Sequence, residues 1–354
     1  MSGHSVLVTG GAGFIASQVV EELVAAGNRV RVLDSLHELA HRDEPDYLHP
    51  DVEYVWGDLR DADAVQAALE GVDAISHQAA MVGLGADLGD IADYVAHNSL
   101  GTAVMLRAMH EAGFDGRLVL GSSMVVYGEG RYRCPHHGVV APAPRAAERL
   151  SLGDFEPPCP ECDSTLDPEP VPEDAPLDPR NVYAATKVNQ EHLCAAYARE
   201  TGASLVALRY HNVFGPRMPR DSHYTGVAGI FRSALESGRP PRVFEDGRQL
   251  RDFVYVRDVA RANRLALEAP VARSLIVNIA SGEPRSVGEL ARELARAVGG
   301  PGPEVSGEFR LGDVRHVFAS TERAREELGF EAEVPFHEGV AEFTAAPLRE
   351  PAQR

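Results

Sequence analysis

Val6-Leu-Val-Thr-Gly10-Gly-Ala-Gly13-Phe-Ile-Ala16 decides the fold. A short run of β-branched and aliphatic residues reads as a buried strand. It ends in a glycine string that opens at once into an amphipathic stretch over 14–26, stopped by Gly27-Asn28. Glycines in this context let the backbone turn tightly and approach a pyrophosphate, whose charge meets the free N–H groups of the helix N-terminus. Gly10, Gly13, Phe14 and Ile15 are therefore expected against a dinucleotide. Asp34, at the end of the next strand-like run, is placed to accept hydrogen bonds from a ribose diol. An acid there disfavours a 2′-phosphate, so the expectation is NAD rather than NADP. Asp58-Leu59, after a third run, is expected at the adenine.

The same alternation continues outward. Strand-like runs at 5–9, 29–33, 53–56, 74–76 and 117–120 alternate with helical stretches at 14–26, 62–69 and 98–112. This pattern predicts a Rossmann-type, doubly wound parallel sheet of the α/β class. It resumes with a helix over 182–200 and a strand over 204–210, then shortens into elements near 242–244, 251–256, 275–280 and 287–298. The expected organisation is a NAD-binding domain from 1–130 and 181–215, then a smaller C-terminal lobe over 216–345 that binds substrate and returns some elements to the first domain. Residues 346–354 are expected to be a frayed tail. Between 131 and 180 lie eleven of the 24 prolines, a density that excludes helix and central strand and marks an insertion.

A net charge of −19 opposes nonspecific binding to nucleic acid, so an anionic ligand must be met by local arginines. No apolar run approaches the ~20 residues of a membrane span, and the first strand begins too early to follow a signal peptide. A cytoplasmic protein is expected.

Lys187 is the only lysine among 34 Lys and Arg residues. Arginine is a planar fork that never deprotonates, whereas lysine is a compact ammonium with rotatable donors, so a chain otherwise given to arginine has kept lysine here for a reason. Tyr183 lies four residues upstream in Asn181-Val-Tyr183-Ala-Ala-Thr-Lys187, on the same helix face. An ammonium beside a phenol favours the phenolate, which makes Tyr183 a candidate base.

The insertion carries Cys134-Pro-His136-His137 and Cys159-Pro-Glu-Cys162. Two close-spaced ligand pairs resemble a zinc knuckle, with Cys134, His137, Cys159 and Cys162 as the ligand set and His136 as a possible substitute for His137. A proline-rich segment with few large apolar residues lacks a core of its own, and a structural zinc would supply the missing order. Cys194, on a helix face, reads as core.

Taken together these motifs resemble the extended short-chain dehydrogenase/reductase family, in its nucleotide-sugar epimerase/dehydratase branch. The resemblance runs from about 5 to 340. The family's opening looks like TGGAGFIG, so Ala16 departs from its third glycine. Gln78-Ala79-Ala80 resembles the segment that lines the cofactor, and Asn98 with Gly101-Thr102 the Asn-x-x-Gly-Thr helix. Gly121-Ser-Ser123-Met-Val-Val-Tyr127-Gly128 matches the strand that delivers the catalytic serine, as Ser123, and Tyr183 with Lys187 matches the signature pair. Arg209-Tyr210-His-Asn212, Arg251-Asp252-Phe-Val-Tyr-Val and Arg310 with Gly312-Asp313 match the later blocks.

The resemblance implies that Ser123 and Tyr183 meet one sugar hydroxyl, with Lys187 and Tyr210 beside the cofactor. It also implies that Asn212, Arg251 and Arg310 bind a nucleotide diphosphate handle and that Val243-Phe244 borders the base. Dehydratases of the branch follow the serine position with an Asp-Glu pair for water elimination, whereas this chain has Met124 and Val125. The implied activity is C4 epimerisation through a 4-keto sugar. The Cys/His-bearing insertion most resembles that of bacterial dTDP-L-rhamnose 4-epimerases; UDP-glucose or UDP-glucuronate 4-epimerase is the alternative. A non-catalytic NAD-binding regulator is the reading from another class. Relatives commonly pair through two helices, which makes a homodimer through 98–112 and 182–200 the expected assembly.

Overall fold

The computed structural model describes residues 3–38, 40–83, 88–220, 225–270 and 274–350. The first half of the chain lays down strands β1 (Ser5–Thr9), β2 (Arg29–Asp34), β3 (Glu53–Trp56), β4 (Ala74–His77) and β5 (Arg117–Ser123). The insertion supplies β6 (Arg131–Cys134), β7 (Gly138–Val140) and β8 (Asp167–Glu169). After it come β9 (Ser204–Tyr210), β10 (Asn212–Phe214), β11 (Arg242–Val243), β12 (Leu250–Tyr255), β13 (Leu275–Ile279) and β14 (Pro284–Ser286). Seven of these form one parallel sheet in the order β13-β9-β5-β4-β1-β2-β3. The doubly wound α/β architecture read from the sequence is thus the observed one. The order reverses between β1 and β4, and in such sheets ligands bind outside the carboxyl ends of the strands at that switch.

Alternation along the strands builds two cores. Val6 and Val8 of β1 join a cluster beneath helices α1 (Phe14–Ala25) and Val256–Glu268, while Leu7 faces the opposite layer of Ala62–Leu69, Gly101–Glu111 and Val182–Thr201. Each fully buried aliphatic side chain of this kind contributes about 1.5–3 kcal/mol relative to exposure. Ala16, the departure from glycine, is buried in the first of these clusters. The lobe has its own aromatic core, in which Phe214 meets Tyr255, Phe336 and Phe343 edge-on. β13 returns from it to the edge of the large sheet.

Two expectations need correction. The helix expected over 98–112 begins as a π-helical turn, Val95–Leu100, before the regular helix Gly101–Glu111. The tail is not frayed through its first residues: Leu348 is buried in the lobe core, and Arg349 pairs with the 218–220 backbone. Residues 351–354 lie outside the described residues.

The insertion, expected from its proline density to hold neither helix nor central strand, is a three-stranded antiparallel sheet, β7-β6-β8, with a short helix at Ala147–Ser151, and both β6 and that helix form where the prolines leave a gap. Pro168 sits in β8, an edge strand, where a missing N–H is tolerated. Its buried cluster is small, comprising Tyr132, Cys134, Cys159 and Leu166. No helix among the described residues is long and apolar enough to cross a membrane.

Candidate active site

The glycine string does what its residue types demand. Gly10 adopts φ +70°, and a Cβ there would lie 2.8 Å from the Ala79 backbone, so the loop packs flush against the end of β4. Gly13 caps α1 without any side-chain partner, leaving the N–H groups of the first turn to a ligand. Asp34 is buried at the end of β2 and accepts the Ala12 N–H at 3.0 Å and the Leu36 N–H at 2.8 Å. Burial raises its carboxyl above the usual range, opposed by those two N–H groups and by Arg349. Asp58 is held by Arg60 in a two-pronged pair that lowers its carboxyl to about 2. Leu59 is buried against Gly101. These residues lie at the carboxyl ends of β1, β2 and β3, the place where the dinucleotide is expected.

Behind these residues runs a polar network. Thr9 Oγ1 accepts the Gln78 and Ala79 N–H groups at 3.1 Å and meets His77 Nδ1 at 2.8 Å. Gln78 continues it to Ser76, Asn263 and the Tyr210 hydroxyl. Tyr210 is buried and donates to Gln78 Oε1 at 3.0 Å, which fixes the segment Gln78-Ala79-Ala80 expected to line the cofactor. Ala80 follows on the same segment and is half-buried. Asn98, in the π-turn, clamps Met81 through both its N–H and C=O and donates to Thr186 at 2.9 Å. π-turns inside helices recur at functional sites.

Ser123 closes β5, and Asn181 caps the helix Val182–Thr201 by accepting the Ala184 N–H at 2.8 Å, which puts Tyr183 in the first turn and Lys187 in the next. The Ser123 hydroxyl accepts the Val125 N–H at 3.4 Å and is near enough to the Tyr183 phenol to favour its ionised form. The Tyr183 ring is partly exposed, yet its hydroxyl is enclosed, and burial pushes the phenol well above its usual value. Lys187 Nζ donates to the Gly121 carbonyl at 2.8 Å and lies 6.0 Å from the Tyr183 ring centre. Burial pulls its ammonium down to about 8. The lowering of the phenol expected from Lys187 is not found in this arrangement: burial raises it, and the group that opposes burial is the Ser123 hydroxyl.

Sequence reading missed Glu191 and quoted Arg209 only as part of a matched block, with no role. Glu191, one turn past Lys187, accepts the Ser122 hydroxyl at 2.5 Å and pairs with Arg209, both side chains about 3% exposed. A carboxylate four residues from the lysine on one helix face was the available signal. Tyr94, whose ring lies 6.3 Å from that of Tyr183, gave none.

The expected substrate residues are more scattered. Asn212 Oδ1 is buried without a hydrogen-bond partner among the described residues. Arg251 donates to the carbonyls of Leu250, Val314 and Arg315. Arg310 is exposed and lies over the Phe244 ring at 4.8 Å. The Val243 side chain is fully buried in the lobe core, so of the pair Val243-Phe244 it is Phe244 that presents a face.

In the insertion the four residues read as ligands converge. One ligand atom from each of Cys134, His137, Cys159 and Cys162 lies within 4.8 Å of the others. Cys134 Sγ is 3.5 Å from His137 Nδ1 and 3.7 Å from Cys162 Sγ, and Cys159 Sγ is 3.6 Å from His137 Nδ1. Tetrahedral bonds of about 2.3 Å to sulfur and about 2.0 Å to nitrogen put ligand atoms roughly 3.5–3.8 Å apart. The donor set and its spacing therefore fit a tetrahedral metal, and the histidine in it is His137, not His136. Glu161 lies 3.8 Å from the other ring nitrogen of His137, as carboxylates behind metal-bound histidines do.

Comparison with known proteins agrees with this geometry. Residues 6–147 and 161–280 match the NAD dependent epimerase/dehydratase family, and the unmatched stretch between falls in the insertion. The chain is 34% identical to the dTDP-L-rhamnose 4-epimerase of Burkholderia thailandensis, over 97% of this chain and 94% of that one. Its structure resembles the UDP-glucose 4-epimerase of Thermus thermophilus in complex with NAD, with a TM-score of 0.77, 31% identity and coverage of 96% and 98%. It also resembles the Thermotoga maritima UDP-glucose 4-epimerase with UDP-glucose, with a TM-score of 0.79, 27% identity and coverage of 96% and 97%. The glycine cradle, the serine–tyrosine–lysine group and these matches place the chain in the NAD dependent epimerase/dehydratase family.

Proposed function

We propose that this chain is a nucleotide-sugar 4-epimerase that works with bound NAD. The observation that carries the reading is the assembly of Ser123, Tyr183 and Lys187 at the carboxyl end of β5, beside the glycine cradle. Gly10, Gly13, Asp34 and Lys187 would hold NAD, which when bound would supply reversible hydride transfer at C4 of the sugar. Ser123 holds the C4 hydroxyl and Tyr183 removes its proton, then gives it back after the keto sugar has turned. Lys187, fixed on the Gly121 carbonyl, keeps positive charge where the phenolate forms. Met124 and Val125 offer no acid or base for water elimination, so the keto sugar is left to be reduced.

For the substrate, likeness to the Burkholderia protein over nearly the whole chain supports a dTDP-6-deoxy-L-hexose of the rhamnose type, held through Asn212, Arg251 and Arg310. UDP-glucose is the second reading, supported by a 31% identical putative UDP-glucose 4-epimerase of Methanocaldococcus jannaschii. Incubation with a panel of nucleotide sugars, with C4 configuration read by NMR, tests both. Epimerisation of the dTDP-L-rhamnose pair alone is the expected result, and turnover confined to UDP-sugars would reverse the order. In deuterated water the product should gain no carbon-bound deuterium; deuterium at C5 would point to enolisation instead.

The Cys₃His set is read as a structural zinc site, closed by four protein ligands. A homodimer is proposed through Gly101–Glu111 and Val182–Thr201; Ile91, Val95 and Leu100, exposed beside them, support it. Light scattering that finds a monomer would remove that part of the reading.

A further inference from the structure

The C-terminal segment returns to the dinucleotide cradle. Arg349 N–H donates to the Met218 carbonyl at 3.0 Å, and Arg220 N–H donates to the Arg349 carbonyl at 2.8 Å. With Leu348 buried in the lobe core next to it, this backbone is fixed on both sides. The Arg349 side chain then crosses to Tyr47, with Nη1 3.5 Å from the phenol oxygen. Tyr47 donates at 2.7 Å to the carbonyl of Ala12, inside the glycine string, and the Ala12 N–H donates to Asp34 at 3.0 Å. Contacts therefore run without a break from Arg349 to the residue expected at the ribose diol.

Three side chains at this corner keep buried nitrogens with no hydrogen-bond partner among the described residues: Arg349 Nε, Arg217 Nη1 and His41 Nδ1. Arg217 lies over the Tyr47 ring at 4.5 Å. Arg349 is close enough for its charge to act on Asp34, Tyr47 and His41. Buried donors without acceptors are costly, and in native proteins they usually face a ligand or water. A tail that only sealed the lobe would need Leu348 but no guanidinium aimed 3.5 Å from the tyrosine that touches the phosphate loop.

We propose that Arg349 is a positioning residue for the adenosine ribose and that the C-terminal segment is a clasp over the dinucleotide. Its guanidinium sets Tyr47 and Asp34 for the ribose hydroxyls and slows release of the cofactor. The inference rests on the reading that NAD fills this cradle.

The test uses the full chain purified with its cofactor, measuring dinucleotide per chain after dialysis and its dissociation rate. Loss of one charge-assisted contact predicts release about tenfold faster from Arg349→Ala. Arg349→Lys, which keeps the charge without the fork, should lie between it and the wild type. Tyr47→Phe removes only the hydroxyl link and should also release NAD faster, so the test survives if Arg349→Ala folds poorly. In the cofactor-free protein Tyr47→Phe should cost no more than the one hydrogen bond to Ala12, about two- to twelvefold in the unfolding equilibrium (about 0.5–1.5 kcal/mol), whereas a purely structural role would cost more and leave the release rate unchanged. NAD retention equal to wild type in both variants, or NADP as the species retained by the wild type, overturns the proposal. A wild type that holds no dinucleotide would instead bring down the NAD reading itself.

Discussion

The seven-stranded sheet and the insertion are ordered by different means. In the sheet, alternate residues of each strand feed one of two large apolar clusters, so no single side chain is indispensable. In the insertion the buried cluster amounts to Tyr132, Cys134, Cys159 and Leu166, two of which are candidate ligands. Beyond that, a small apolar cluster joins Val171 of the insertion to Val126, Tyr127 and Val317, and the rest of its hold on the molecule is polar. Arg315, with no exposed surface, pairs with Glu156 of the insertion and with Glu245 and Asp246 of the lobe. Arg145 pairs with Glu129 and Glu245, and the Tyr132 hydroxyl accepts the His316 N–H at 3.0 Å. An apolar core tolerates exchange of similar side chains, whereas a ligand set and a buried ion pair do not.

The sharpest way to break the contrast is to remove the metal. Structural zinc contributes roughly 10 kcal/mol or more to the order of the segment that binds it. Cys159→Ser should take zinc from about one per chain to none by elemental analysis, and proteases should then cut between Arg131 and Arg180. Bound NAD should remain, because the sheet half does not depend on the insertion for its core. A metal-free wild type that resists proteolysis equally would show that the ion pairs suffice.

Next in size is Tyr183→Phe, which leaves every core contact in place and should cut turnover by about 10² to 10⁴. Lys187→Arg should fail as well, since a planar fork cannot sit where the ammonium meets the Gly121 carbonyl at 2.8 Å. Full activity in either variant would detach catalysis from these residues. Arg315→Met should follow, destabilising the protein by about 3–5 kcal/mol in denaturant unfolding, since it removes a fully buried cation shared by three carboxylates and leaves Glu245 only Arg145 and Glu156 only His316. A cost below about 1 kcal/mol would mean that the network is as weak as a surface pair.

Acid should reach the sheet half through its histidines. Burial lowers His77 to about 3 and His211 to about 4, whereas the unfolded chain protonates them near the ordinary value of 6.5. Between those limits the unfolded state binds more protons, so their contribution is complete above about pH 7 and declines as pH falls toward 4. The slope is at most about 1.4 kcal/mol per pH unit for each histidine. Thermal midpoints measured from pH 7 to 5 should fall, and His77→Asn should flatten that decline; an unchanged slope would exclude His77 as a source.

What could be read from the sequence follows the same division. Short apolar runs and glycine punctuation located β1, Glu53–Trp56 and Ser204–Tyr210 with their observed bounds, because their determinants are local. The π-turn at Val95–Leu100 has no periodic signature, since Asn98 is engaged by Met81 and Thr186, which come from elsewhere in the chain. The seat of Arg349 was equally illegible: its partners Met218 and Tyr47 lie 131 and 302 residues away. Arg251 showed its residue type but not that three carbonyls would occupy its guanidinium.

The smallest expected effect separates neighbours that the sequence left interchangeable. His136 and His137 have the same side chain, and either suits a knuckle by spacing alone. The chain's geometry distinguishes them: His137 Nδ1 lies 3.5 Å from Cys134 Sγ and 3.6 Å from Cys159 Sγ, whereas His136 reaches Cys134 only through its backbone N–H, at 3.4 Å. A backbone donor to a thiolate survives replacement of the side chain. His136→Asn should therefore keep its zinc and change stability by no more than about 0.5 kcal/mol, the range of an ordinary surface substitution. His137→Asn should lose the metal and open the insertion to protease as Cys159→Ser does. Loss of zinc from the His136 variant, with retention in the His137 variant, would invert the ligand assignment while leaving the three cysteines in place.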